Sequence, residues 1–253
     1  MQKSLNDYAF NRYSQNGEDG ILEELCARLG IKEGWCVEFG AWDGKHLSNT
    51  YNLLLNHNWR GVHIEGNEDR YQVLLATKAE LSGRLHTICA MVDVQGDNAL
   101  DKLLSTTPLP RDFDLLSIDI DSVDAQIWDS LREYRAKIVV IESNAALPPG
   151  VMQPHQPPDY IGTSFSSLVK LGNEKSYQLV CHTGNCIFVA KELLGKVGLD
   201  PACLNSPEQL FNWSKYRREK VVNGMRLVLP EGLMGYIFKA SNKLKQMRSR
   251  LAG

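Results

Sequence analysis

Apolar positions in this chain recur alternately at helical and strand spacing. Ile21, Leu22, Leu25 and Leu29 share a helix face, and Gly34-Trp35-Cys36-Val37-Glu38-Phe39 reads as a first strand. Leu47, Tyr51, Leu54 and Leu55 return to helical spacing, followed by a strand at Gly61-Val62-His63-Ile64-Glu65. Tyr71, Leu74 and Leu75 predict the next helix, and residues 85–92 a third strand. Leu100, Leu103 and Leu104 predict a short helix before the strand Asp114-Leu115-Leu116-Ser117-Ile118-Asp119-Ile120-Asp121. Ile127, Trp128, Leu131 and Tyr134 predict the helix leading into Lys137-Ile138-Val139-Val140-Ile141-Glu142-Ser143-Asn144. Such alternation implies a parallel sheet with helices on both faces.

After residue 147 the pattern changes. Pro148 to Pro158 is a Pro-rich loop placed to cover a site. A helix around Phe165, Leu168, Val169 and Leu171 follows, with Thr163 or Ser164 as its cap. The apolar runs 177–181 and 186–190, separated by His182-Thr183-Gly184-Asn185, predict a tight antiparallel hairpin.

A length of 253 residues suits one large α/β domain, or a core with a small appendage. The net charge of −2 conceals an asymmetry, because ten Lys or Arg and only two acids lie between Lys215 and Gly253. From Gly232 onward, basic residues interleave with Leu233, Ile237, Phe238, Leu244, Met247 and Leu251 as in a basic amphipathic helix. Such a helix packs on the body or a dimer partner, or lies on an anionic membrane surface. The absence of interleaved aromatics argues against nucleic acid as partner. The first ten residues carry no leader-like apolar run and no stretch is long enough to span a bilayer, so a cytoplasmic protein is expected. The six cysteines include no C-x-x-C pair and read as reduced, mainly buried thiols.

The chemistry gathers at strand ends, the edge where open parallel sheets bind ligands. Asp119, Asp121 and Asp124 follow one strand, and Glu142 and Asn144 follow the next. Hard oxygen donors on adjacent strand ends suit a divalent cation such as Mg²⁺ or Mn²⁺. The alternatives are metal-free acid/base work and, after that, the capping of the helix at Ile127. His155 in the Pro-rich loop and His46 are further candidate bases, whereas His63 reads as a core residue.

After the first strand, Glu38-Phe39-Gly40-Ala41-Trp42-Asp43-Gly44 joins a strand to a helix, and Glu65 ends the second strand 21 residues after Gly44. An acid so placed accepts both hydroxyl protons of a ribose. Trp42 occupies the middle of the loop, where a pyrophosphate would have to touch backbone. That favours a ribose-bearing cofactor without phosphates, such as S-adenosylmethionine, over NAD.

These segments, together with Tyr13-Ser14-Gln15-Asn16-Gly17-Glu18-Asp19-Gly20, resemble the FkbM-like S-adenosylmethionine-dependent methyltransferases over about residues 12 to 190. The resemblance implies an α/β fold with the Rossmann-like seven-stranded sheet of class I methyltransferases. It divides the chain into a methyltransferase domain at 1–195 and a basic, helical extension at 196–253. By position, Glu38, Gly40 and Gly44 would hold the amino-acid end of the cofactor, and Glu65 its ribose. Met91, Val92 and Asp93 would lie near the adenine, and Ser48 and Asn49 would either reach the methionine carboxylate or cap and solvate the helix that follows. Gln15 would either belong to a helix start or close over the cofactor. The metal set would be Asp119, Glu142 and Asn144, by resemblance to metal-dependent O-methyltransferases, with Asp119 also beside the cofactor. Asp121 and His155 would be the catalytic groups. The expected reaction is O-methylation of a sugar hydroxyl on a glycan, glycolipid or glycosylated natural product. The competing readings are a metal-dependent nucleotide-sugar-modifying transferase and a catalytically silent binding protein.

Overall fold

A computed structural model of the chain describes residues 3–120, 123–144, 147–153, 162–215, 219–222 and 225–228. The elements run α1 (Glu18–Leu29), β1 (Trp35–Phe39), α2 (Tyr51–Asn56), β2 (Arg60–Glu65), α3 (Glu68–Glu80), β3 (Leu85–Cys89), α4 (Leu100–Ser105) and β4 (Asp112–Ile118). They continue with α5 (Asp124–Ser130), β5 (Arg135–Glu142), α6 (Phe165–Glu174), β6 (Tyr177–His182), β7 (Asn185–Ala190), α7 (Leu194–Val197) and α8 (Pro201–Asn205). Seven strands form one sheet in the order β3-β2-β1-β4-β5-β7-β6. The first five are mutually parallel, and β7 runs antiparallel between β5 and β6.

The central strands are apolar because both of their faces are covered. Val37, Phe39, Leu116, Ile118, Val139 and Ile141 face one core, packed by Trp128 of α5 and Phe165 and Leu168 of α6. Their neighbours Cys36, Leu115, Ile138 and Val140 face a second core, packed by Leu22 and Leu25 of α1, Leu54 of α2 and Leu74 of α3. Each large side chain so buried contributes about 1.5–3 kcal/mol of transfer free energy. All six cysteines are unpaired, and burial pushes the Cys26 and Cys181 thiols up to about 12.

The predicted elements form, with local differences. Ser164 caps α6, its hydroxyl accepting from the Ser167 amide at 3.2 Å. Leu47 is not helical: it sits in a loop at φ +58°, exposed, and α2 begins only at Tyr51. Strand β3 stops at Cys89, short of the expected Val92. Leu131 and Tyr134 are buried as expected but lie beyond α5, and the carbonyls of Asp129 and Leu131 accept from the Lys175 ammonium.

The segment after residue 195 is neither separate nor wholly helical. Val197 is fully buried and its carbonyl accepts from Arg28 at 2.8 Å. Phe211 stacks on His182, with ring centroids 4.7 Å apart. Residues 219–222 and 225–228 pair as antiparallel strands β8 (Glu219–Val222) and β9 (Met225–Val228). The signal was present in the sequence: an Asn-Gly pair separates two runs rich in Val, Leu and Met. The basic stretch from 232 to 253 lies outside the described residues. Among the described residues, no helix is long and apolar enough to cross a membrane.

Candidate functional site

A cavity of about 930 Å³ opens at the C-terminal ends of β1, β2, β3 and β4. Four carboxylates line it, from Glu38, Glu65, Asp93 and Asp119, against one guanidinium, from Arg70. That balance gives the cavity a negative potential.

Glu65 ends β2 and is 5% exposed. Its Oε2 accepts from the Trp42 amide and its Oε1 from the Asn67 amide, both at 2.8 Å. A carboxylate accepts about four hydrogen bonds, so half of its capacity remains for a ligand. The same two bonds hold the carboxylate rigid and pin the loop after β1 to the end of β2.

Glu38 has the opposite fate. Its Oε2 accepts from the Ser48 hydroxyl at 2.5 Å and the Thr50 hydroxyl at 2.7 Å. Its Oε1 accepts from the Asn49 amide at 3.0 Å and the Ser117 hydroxyl at 3.4 Å. All four acceptor positions are taken by protein. Glu38 therefore moulds the loop 48–50 into a cavity wall and leaves no acceptor position open to a ligand, only its charge.

That saturation corrects the expected roles of Ser48 and Asn49. The Ser48 hydroxyl donates to Glu38 and accepts from the amides of Thr50 at 3.2 Å and Tyr51 at 3.0 Å, so it caps α2 and has no donor left for a carboxylate. Asn49 is buried outside the cavity lining, its side-chain amide on the Ser117 hydroxyl at 3.1 Å.

Both glycines of the first turn are required, for different reasons. Gly40 lines the cavity at φ +74°, and a Cβ there would stand 2.0 Å from the Asp119 carbonyl oxygen. Gly44, at φ +75°, faces inward: its Cβ would meet Leu74 Cδ1 at 2.6 Å and His63 Nδ1 at 3.1 Å. The close approach at Gly44 is to the core, not to a ligand.

Trp42 lies in the lining at φ +50° and 44% exposed, with the Arg70 guanidinium 5.3 Å from its ring centre and His46 packed edge-on at 5.4 Å. Met91, Val92 and Asp93 line the opposite end, beside β3. Asp119 lines the floor at the end of β4. Gln15 is exposed and lies outside the lining. Its neighbours are structural: Glu18 accepts from Thr183 and Asn185, and Asp19 Oδ2 accepts from the amides of residues 12, 13 and 14. Those bonds lash the N-terminal segment to the β6–β7 turn.

Of the residues expected to hold a cation, Asp119 alone lines the cavity. Glu142 and Asn144 are outside the cavity lining that contains Asp119, and the Asn144 amide donates to the Thr163 carbonyl at 2.9 Å. Among the described residues, no three His, Cys, Asp or Glu side chains converge as a metal site. Asp124 Oδ1 accepts from the Ile120 amide at 2.9 Å, bracing the loop into α5. Asp121 and His155 lie outside the described residues.

Sequence reasoning missed Arg70 and Asn98 in the lining, and the buried partners Thr50 and Ser117. Ser117 carried a signal, as a polar residue inside the apolar run of β4. His63 is fully buried, and burial lowers its pKa while the nearby Glu38 opposes that shift.

The strand order, with the seventh strand antiparallel between the fifth and sixth, is that of the Rossmann-like seven-stranded sheet of class I methyltransferases. No protein-family model matches the chain, and no curated protein sequence matches it. Solved structures similar to it include TrmK of M. capricolum in complex with S-adenosylhomocysteine, at 12% identity and a TM-score of 0.41, over 66% of this chain and 66% of that one. Another is a SAM-dependent methyltransferase from Aquifex aeolicus, at 12% identity and a TM-score of 0.41, over 66% of this chain and 86% of that one. A third is the CurJ carbon methyltransferase, at 13% identity and a TM-score of 0.46, over 68% of this chain and 52% of that one. These likenesses are too distant to bear on activity; the topology itself defines the fold.

Proposed function

We propose that the protein is an S-adenosylmethionine-dependent O-methyltransferase acting on a carbohydrate hydroxyl. The observation that carries the donor is Glu65, a buried carboxylate clamped by two backbone amides with half its acceptor capacity left for a ligand. Two adjacent ribose hydroxyls donate to such a group as a pair. The excess of carboxylates in the lining favours a donor that carries a sulfonium and an ammonium. Trp42, in place of a phosphate-cradling glycine, disfavours a pyrophosphate cofactor. The cavity runs from Met91–Asp93 for the adenine, past Glu65 for the ribose, to Gly40 and Leu47 for the amino-acid end.

Transfer proceeds by in-line attack of the acceptor oxygen on the methyl carbon. The carbon–sulfur bond breaks, its electron pair stays on sulfur to give S-adenosylhomocysteine, and the hydroxyl proton passes to a base. Asp119, which lines the cavity at the end of β4, takes or orients that proton. The acceptor class rests on the resemblance to FkbM-like enzymes.

Calorimetry with S-adenosylhomocysteine, a UDP-sugar and NAD in parallel tests the donor assignment. Heat from S-adenosylhomocysteine alone is expected, whereas heat from the UDP-sugar alone replaces the reading with a nucleotide-sugar enzyme. Donor binding without transfer to any of a panel of glycans would favour the catalytically silent form of the fold.

A further inference from the structure

A polar row, buried at three of its four positions, crosses the sheet beneath the cavity. In register across four strands lie Thr87 of β3, His63 of β2, Glu38 of β1 and Ser117 of β4. They stand on the sheet face covered by Leu54 of α2 and Leu74 of α3. His63 is fully buried and Glu38 is 6% exposed.

Hydrogen-bond logic orders the protons. Thr50 has one hydroxyl proton and gives it to Glu38 Oε2 at 2.7 Å. The 2.9 Å contact between the Thr50 hydroxyl and His63 Nε2 then requires Nε2 to be the donor. A second proton on the buried Nδ1 would find no acceptor, so His63 is neutral with its proton on Nε2. Its Nδ1 has no partner and faces the Gly44 backbone and Leu74, so only a bare lone pair is left there. The tautomer leaves no buried N–H unmet.

We propose that His63 is a positioning residue for the amino-acid end of the methyl donor, acting through Thr50 and Glu38 on the wall formed by Leu47 and Ser48. The proposal rests on the donor reading above. Glu38 holds loop residues 48–50 by three bonds, and Thr50 is the one residue of the loop that is also tied to β2. Leu47, just ahead of these bonds, adopts φ +58°, an arrangement that costs a bulky residue about 1–2 kcal/mol and persists only where the surroundings impose it. Leu47 and Ser48 both line the cavity, and Ser48 bonds to Glu38 of β1, two strands along the sheet from β3, which ends just before Met91 and Asp93. Loosening the relay therefore disturbs one end of the donor site and leaves the clamp on Glu65 intact.

Two ligands separate the ends: S-adenosylhomocysteine, and 5′-methylthioadenosine, which lacks the amino-acid portion. Thr50→Val keeps the shape and removes the hydroxyl, and His63→Leu removes the donor. Each is expected to weaken S-adenosylhomocysteine by about tenfold, the order expected for one hydrogen bond to a charged group, and 5′-methylthioadenosine by less than about twofold. Thr50→Ser and His63→Gln restore a donor at the same positions and are expected to recover most of the affinity. Equal losses for both ligands, no loss for either, or failure of the conservative variants to rescue would overturn the proposal. If the unaltered protein binds neither ligand, the donor reading fails first and the proposal falls with it.

Discussion

Glu38 and Glu65 are the same residue type at the ends of neighbouring strands, yet the fold gives them different work. Glu65 spends two acceptor positions on backbone and keeps the rest facing the cavity, while Glu38 spends all four on the loop beside it. Replacing Glu65 with Gln should weaken S-adenosylhomocysteine by about ten- to a hundredfold, because one acceptor oxygen becomes a donor facing ribose hydroxyls or amide N–H groups. An unchanged affinity by calorimetry would remove Glu65 from the site. His182 supplies a second test. It is fully buried, with Nε2 on the Ser143 hydroxyl and Nδ1 accepting from the Asn212 amide, each at 2.9 Å, and burial pushes its pKa down to about 3. An unfolded chain binds this proton below about pH 6.5, whereas the folded chain does not. Stability from this group is thus fully present above about pH 6.5 and falls progressively toward pH 3, at about 1.4 kcal/mol per pH unit. Urea titrations at pH 7, 6 and 5 should show that slope in the native chain and a shallower one in His182→Phe. Identical slopes would refute the assignment.

Among elements, the turn after β1 decides the site. Its two glycines look equivalent in sequence and are not. A methyl group on Gly40 meets the backbone oxygen of Asp119, which is fixed at the end of β4, whereas one on Gly44 meets the flexible end of Leu74. Both substitutions carry the backbone cost of a positive φ, about 1 kcal/mol. Gly40→Ala should therefore destabilise by about 3 kcal/mol or more, and Gly44→Ala by about 1–2 kcal/mol. Thermal melts of the two variants compare them directly, and a larger loss for Gly44→Ala would contradict the packing. The helix expected through Leu47 fails for a related reason. Saturating Glu38 with Ser48, Asn49 and Thr50 requires an irregular loop, and that requirement outweighs the helical spacing of Leu47 with Tyr51.

For the molecule as a whole, the chain beyond residue 195 belongs to the body at least as far as Asn212. Val197 fills the core beside α1, and Phe211 and Asn212 cover His182. Ending the chain after residue 195 exposes Phe165 and His182, and the midpoint of thermal unfolding should fall by about 10 °C or more. A midpoint within a degree or two of the full chain would restore the boundary read from sequence. Periodicity alone determined the seven strands of the main sheet, most of the helices and the closing hairpin, because each depends on residues a few positions apart. It also put carboxylates at the ends of β1, β2 and β4 and a bulky Trp42 where phosphate would bind. Only the tertiary structure decided which of those carboxylates is available. Ser117, which helps saturate Glu38, lies 79 positions away in sequence, and the row through His63 exists only because four strands stand in register. A carboxylate's remaining capacity is set by neighbours across the sheet, and hydrophobic spacing along the chain carries no record of them.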